Sequence, residues 1–185
     1  DRARRVSVHL RPEVPGRAGV RCPRVAPRPA RRKCSTCRIA EHFNLSPKGV
    51  TVLPHAREML DWCRDQEIRC FVLSSMDVGL FTDQAHAFGL DGYFEAIYAG
   101  VIDKRERIGD IVKAHKLSVA DTAFVGDMVH DVDTAKHGGI ASVAVATGYD
   151  PVERLAQSDP HHFFDHLGDF RQWLENSITQ PTAGL

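Results

Sequence analysis

Four short apolar runs, at about 69–73, 95–99, 122–126 and 141–146, recur along this chain with an amphipathic stretch between each and the next. That alternation constrains the fold more than anything else in the sequence. Strands alternating with helices of ten or so residues specify βαβ units, right-handed crossovers and a parallel sheet covered on both faces. The intervening helices are legible from their spacing. Ala56, Met59, Leu60 and Cys63 fall on one helical face, with Pro54 read as a first-turn proline. Phe81, Ala85 and Phe88 form a second stripe, ended by Gly89, and Ile108, Ile111, Val112 and His115 form a third. His115 reads as a plain helix-face residue. A short edge strand is expected at 161–164, its paired histidines on the surface, and a closing helix carries Leu167, Phe170 and Trp173. The chain of 185 residues is long enough to bury one such core and shows no internal repeat.

The chemistry concentrates where these strands end. Phe124-Val125-Gly126-Asp127-Met128-Val129-His130-Asp131 is a buried strand that breaks at a glycine and presents two aspartates before a helix begins. In open α/β sheets ligands bind just past the carboxyl ends of the strands. Carboxylates that close repel unless a cation lies between them, and hard oxygen donors suit Mg²⁺. The plainer alternative is that Asp127 makes a turn and Asp131 caps a helix. Earlier, Cys70-Phe71-Val72-Leu73 ends in Ser74-Ser75, and the run at 96–99 is followed by Ile102-Asp103-Lys104. Taken singly, Ser74 reads as a strand end and Lys104 as a helix start. In order on successive parallel strands, they place a hydroxyl, a fixed cation and a carboxylate at one sheet edge. That set can hold a phosphoryl group and offset its transition-state charge.

On these residues the chain resembles the haloacid dehalogenase-like (HAD) phosphohydrolases, in their phosphoglycolate-phosphatase-like branch, from about residue 52 to 173. Ser74 matches the family's second motif, Lys104 the third, and Asp127 and Asp131 the fourth, GDxxxD. Ala135-Lys136-His137-Gly138-Gly139-Ile140, Val143-Ala144-Val145 and Thr147-Gly148-Tyr149 resemble the family's continuation after it. The resemblance implies a Rossmannoid sheet and Mg²⁺-dependent hydrolysis of a small phosphorylated metabolite. It makes Asp127 a metal ligand, with Asp131 supporting the metal from the next helical turn. Ser74, with Ser75 beside it, binds phosphoryl oxygens, and Lys104 neutralises the phosphate and its attacking group; Ser74, Lys104 and Asp131 form the catalytic set. Dehalogenation fits the full GDxxxD less well.

The family's first motif, an aspartate nucleophile and acid/base pair in DxDGT after the first strand, has no counterpart: residues 1–73 contain no Asp-x-Asp. The nearest shape is Val6-Ser7-Val8-His9-Leu10-Arg11-Pro12-Glu13, an alternating strand and turn that puts His9 and Arg11 in the aspartates' places. Such a cationic pair cannot help hold Mg²⁺. In the family the first strand fills the centre of the sheet. Without it backbone groups would go unpaired, so a replacement strand is expected at 6–10.

Residues 1–38 carry eleven Arg and one Lys against Asp1 and Glu13, a net charge of +10 that leaves −10 for the remainder. Five of the ten prolines lie there too, a composition that disfavours a packed core. Three readings stand: a basic arm for nucleic acid or another polyanion, a transit-like extension, or a mistranslated stretch in place of the family's opening. The basic arm also supports a different function, a catalytically inactive HAD-shaped binding protein with a polyanionic partner. The expected division is a poorly ordered segment at 1–43 with a reduced cap region, a core at 44–176 and a tail at 177–185. Cys34 and Cys37 form a CxxC, but Cys22 and His42 lack the spacing of a second zinc-ligand pair. Cys63 and Cys70 read as core. With no signal peptide and no apolar run near eighteen residues, the expectation is a cytoplasmic protein with no membrane partner.

Overall fold

The structure is a computed structural model that describes the backbone of residues 5–8 and residues 51–179. The chain divides into two compact units, residues 1–11 with 52–185 and residues 12–51, and all the described elements belong to the first. His9, Arg11, the CxxC and His42 lie outside the described residues.

Among the described residues, six strands build one all-parallel sheet: β1 (Arg5–Val8), β2 (Arg69–Leu73), β3 (Ala96–Tyr98), β4 (Thr122–Gly126), β5 (Ala141–Val145) and β6 (His162–Phe164). Their order is β3-β2-β1-β4-β5-β6. The expected replacement strand is therefore present, at 5–8 rather than 6–10. It pairs with β2 through Val6↔Cys70 and with β4 through Val8↔Val125, so it supplies backbone partners to both neighbours. Chain order reverses between β1 and β4, and the crevice outside the strand ends at that point is where this class of sheet binds ligands.

Helices α1 (Ala56–Asp65), α2 (Val78–Ala87), α3 (Arg105–Ala114), α4 (Val129–His137), α5 (Val152–Gln157) and α6 (Leu167–Thr179) cover the sheet. Alternate strand residues face opposite layers. Cys70, Val72, Val125, Val143 and Val145 pack with Met59 and Leu60 of α1, Phe81 of α2 and Phe170 of α6. Leu73 and Phe124 pack with Ile108 and Ile111 of α3 and Ala135 of α4. Burial on both faces explains why these strands read as continuous apolar runs. Cys63 and Cys70 are buried thiols. Gly89 ends the second helical stretch with φ +62, a left-handed conformation that glycine adopts without steric cost.

Three local readings change. Pro54 is not in the first turn of α1; it lies in the preceding turn, and His55 is the N-cap, with φ 64. Helix α5 was not expected from the sequence; its six residues bury little beyond Leu155, so its apolar signal is weak. His115 is more than a helix-face residue. It caps the C-terminus of α3, its Nε2 lies 2.8 Å from the Tyr98 hydroxyl and its Nδ1 3.2 Å from Glu95 Oε1. The ring thus bridges the Tyr98 hydroxyl and the Glu95 carboxylate, donating to the latter from Nδ1. Arg69 grips Glu95 and donates to the His115 carbonyl at 3.2 Å, tying β2 and α3 to edge strand β3. Its guanidinium holds the Glu95 carboxyl below the ordinary glutamate range. The stabilisation from that shift is complete above the usual glutamate pKa and fades as pH falls through the lowered one. His115→Leu, which removes both ring bonds, is expected to cost about 1–2 kcal/mol, read as a lower urea midpoint with unchanged slope.

Candidate active site

Strand β4 delivers the first site residue. Gly126 ends the strand, and the chain turns so tightly that the Asp131 side chain lies against the glycine Cα. A Cβ added there would fall 2.5 Å from both Cβ and Cγ of Asp131. Only glycine lets the turn close. Asp127 follows, 6% exposed, and its Oδ2 accepts from Thr147 Oγ1 at 3.3 Å. The loop after β5 braces the turn further: Asp150 Oδ2 accepts from the Val129 N–H at 2.8 Å, while the Asp150 N–H donates to the Asp127 carbonyl at 3.3 Å. Asp150 thus satisfies one of the free donors at the start of α4.

Asp131, in the first turn of α4, is 1% exposed. Its Oδ2 accepts from the Met128 N–H at 3.3 Å, so the expected helix-capping role is real. Its Oδ1 lies 2.5 Å from Lys104 Nζ, and both side chains are 1% exposed. Part of the cation that the paired aspartates called for is therefore the protein's own. Lys104 Nζ also lies 5.8 Å from the centroid of the Phe124 ring. The backbone N–H of Lys104, at the start of α3, donates to His130 Nε2 at 3.3 Å. Neighbouring Asp103 is clamped by the Arg105 guanidinium, which holds its carboxyl down to about 2.

Ser74 directly follows β2 and is 1% exposed. Its Oγ accepts from the Met76 N–H at 3.1 Å, which leaves its own proton to donate. Its carbonyl accepts from the Val101 N–H at 2.9 Å, and the Met76 carbonyl accepts from the Gly100 N–H at 2.6 Å. These bonds stitch the serine turn to the loop that leads into Lys104. Ser75 is half-buried in the same turn. Among the described residues no three His, Cys, Asp or Glu side chains converge as a metal cluster.

So Lys104 and Asp131 meet directly, and Ser74 and Asp127 lie at the ends of the two strands that flank β1. Three residues that hold this set in place were assigned no role from the sequence: His130, Thr147 and Asp150. Asp150 falls in Tyr149-Asp150-Pro151, which has no helical or strand pattern, and only the fold of the loop after β5 shows its reach back to α4.

The sequence model described as haloacid dehalogenase-like hydrolase matches residues 28–145. The chain belongs to that family. Within this HAD family, the chain is 30% identical over 104 residues to a 5'-nucleotidase of Pseudomonas aeruginosa, covering 53% of this chain and 47% of that protein. It is 24% identical over 134 residues to a phosphoglycolate phosphatase of Synechococcus elongatus, covering 71% of this chain and 63% of that protein. The chain thus spans about half to three-fifths of the curated relatives it matches. The solved structure of a predicted phosphatase from Clostridium acetobutylicum superposes with TM-score 0.67 at 19% identity, over 76% of this chain and 69% of that one. That likeness establishes the HAD-type α/β fold.

Proposed function

We propose that this HAD chain carries the phosphate-handling half of a phosphomonoesterase centre whose substrates are small phosphorylated metabolites. The observation that carries the reading is the buried Lys104–Asp131 pair beside Asp127 at the sheet's switch point. Ser74 donates its hydroxyl proton to a non-bridging phosphoryl oxygen. The Lys104 ammonium, with one of its three donors on Asp131, offsets charge on the phosphoryl group and on whatever attacks it. Asp131 fixes that ammonium and braces the turn, since both its oxygens have partners within the protein.

The donor chemistry fits Mg²⁺. Asp127 is a hard oxygen donor, and Mg²⁺ is commonly held by one or two carboxylates together with substrate phosphate and water. Asp127 would hold the ion, oriented by Thr147, and the ion would supply Lewis-acid polarisation of the phosphoryl oxygens. Relatives named phosphoglycolate phosphatase and 5'-nucleotidase make phosphoglycolate the first substrate to test and a nucleoside 5'-monophosphate the second.

Residues 1–73 hold no Asp-x-Asp, so the aspartate nucleophile used elsewhere in the family has no counterpart in this chain. Covalent catalysis cannot run without its nucleophile. Mg²⁺-dependent phosphate release from p-nitrophenyl phosphate and phosphoglycolate is therefore expected far below the roughly 1–10³ s⁻¹ of ordinary enzymes. Whatever release remains is expected to fall to background in Asp127→Asn. Release that survives Asp127→Asn would place the chemistry elsewhere and overturn the assignment.

A further inference from the structure

We propose that His130 is a positioning residue that anchors Lys104 by its backbone, so that residues 130 and 131 of α4 grip the two ends of one lysine. The inference rests on the phosphate-handling reading of Lys104 and adds to it a residue at a variable position of the GDxxxD motif. Lys104 is the N-cap of α3, and its own side chain makes no capping bond. Instead that side chain donates to Asp131 Oδ1 at 2.5 Å, while the Lys104 backbone N–H donates to His130 Nε2 at 3.3 Å. The first N–H groups of a helix have no intrahelical acceptor, so an acceptor supplied by another element fixes the helix start in space.

Among the described residues, His130 is the side chain that accepts from the Lys104 N–H. Asp103, the nearest alternative, takes the Arg105 N–H at 3.1 Å and is clamped by the Arg105 guanidinium, while its Oδ1 lies 3.7 Å from His130 Nε2. Accepting from Lys104 requires the lone pair on Nε2, which puts the ring proton on Nδ1. A long, flexible lysine held only at its ammonium would let the α3 start drift, and misplacement of a charge-offsetting group by about 1 Å lowers its effect by about a hundredfold. Two anchors on consecutive residues of one helix remove that freedom. Asp131 sets where the charge lies and His130 sets where the chain that carries it begins. The imidazole side chain is 27% exposed, outside the fully buried core.

The test compares His130→Leu, which has similar bulk and no acceptor, with His130→Gln, whose Oε1 can still accept the Lys104 N–H. Two readouts are taken on the full chain: hydrogen exchange at the Lys104 amide, and the dissociation constant for inorganic phosphate with Mg²⁺. One lost hydrogen bond predicts roughly tenfold faster exchange and roughly tenfold weaker phosphate binding in His130→Leu, with His130→Gln within about threefold of the native chain. Amides in α1 serve as the reference, and their exchange is expected to be unchanged. Equal behaviour of the Leu and Gln variants, or Lys104 exchange within twofold of native in His130→Leu, would overturn the anchoring. Faster Lys104 exchange with unaltered phosphate affinity would overturn the positioning role. Absence of phosphate binding by the native chain would instead sink the phosphate-handling reading, and the exchange comparison would still decide the anchor.

Discussion

Gly126→Ala is expected to destabilise the protein by about 3 kcal/mol, the upper part of the range for overpacking a buried position. The new methyl would fall on Asp131 Cβ and Cγ. Such a clash is cheap only when the neighbour can move, and Asp131 cannot: it is 1% exposed and fixed by Lys104 and the Met128 N–H. Either Asp131 leaves its ion pair or the end of β4 shifts against β1 and β5. For a chain of this size the loss corresponds to a melting point lower by roughly 10 °C. Gly109→Ala supplies the contrast. Gly109 lies inside α3 with nothing within 4 Å of an added Cβ, so alanine there is expected to stabilise by about 0.5–1 kcal/mol. Thermal melts of the two variants therefore move in opposite directions. A Gly126→Ala chain that melts with the native one would mean the turn is looser than described.

Lys104→Met is expected to cost about 3–5 kcal/mol, because it leaves the Asp131 carboxylate buried without its cation. The burial of both groups sets this magnitude; an exposed pair of the same length would be worth well under about 1 kcal/mol. The same logic predicts the outcome of removing both charges. Lys104→Met with Asp131→Leu replaces the pair by apolar groups, and such replacements are often close to neutral in stability. The double variant is therefore expected to be more stable than Lys104→Met alone, with a large coupling energy in urea denaturation. Simple additivity of the two single changes would show that the pair does not interact. Both variants are expected to lose phosphate binding, which separates the structural role of the pair from its functional one.

Much of this fold is legible in the residues. Strands buried on both faces need continuous apolar runs, so β2, β4 and β5 are visible within a residue or so of their ends. The stripes Met59–Leu60–Cys63 and Ile108–Ile111 mark α1 and α3 because one face of each helix meets the sheet. The central strand Arg5–Val8 is harder to see. It is four residues long in an Arg- and Pro-rich stretch, and the expectation of a strand there came from the gap that the sheet would otherwise have. Within the site, Ser74, Lys104, Asp127 and Asp131 are marked by type and by position after successive strands. Their supports are not. Thr147, Asp150 and His130 act through bonds to residues 20 to 26 positions away in the chain, which have no periodic signature. His115 illustrates the same limit: helical spacing explains its place on α3 and says nothing of Tyr98 and Glu95.

The central claim is that Asp127, Lys104 and Ser74 form one Mg²⁺-dependent phosphate site even though this chain carries no Asp-x-Asp upstream. Titration calorimetry of the full chain with inorganic phosphate, with and without Mg²⁺ and beside Asp127→Asn, tests it most directly. The account predicts binding that needs Mg²⁺ and is lost in Asp127→Asn while that variant still folds. Binding indifferent to both the ion and the substitution would contradict it.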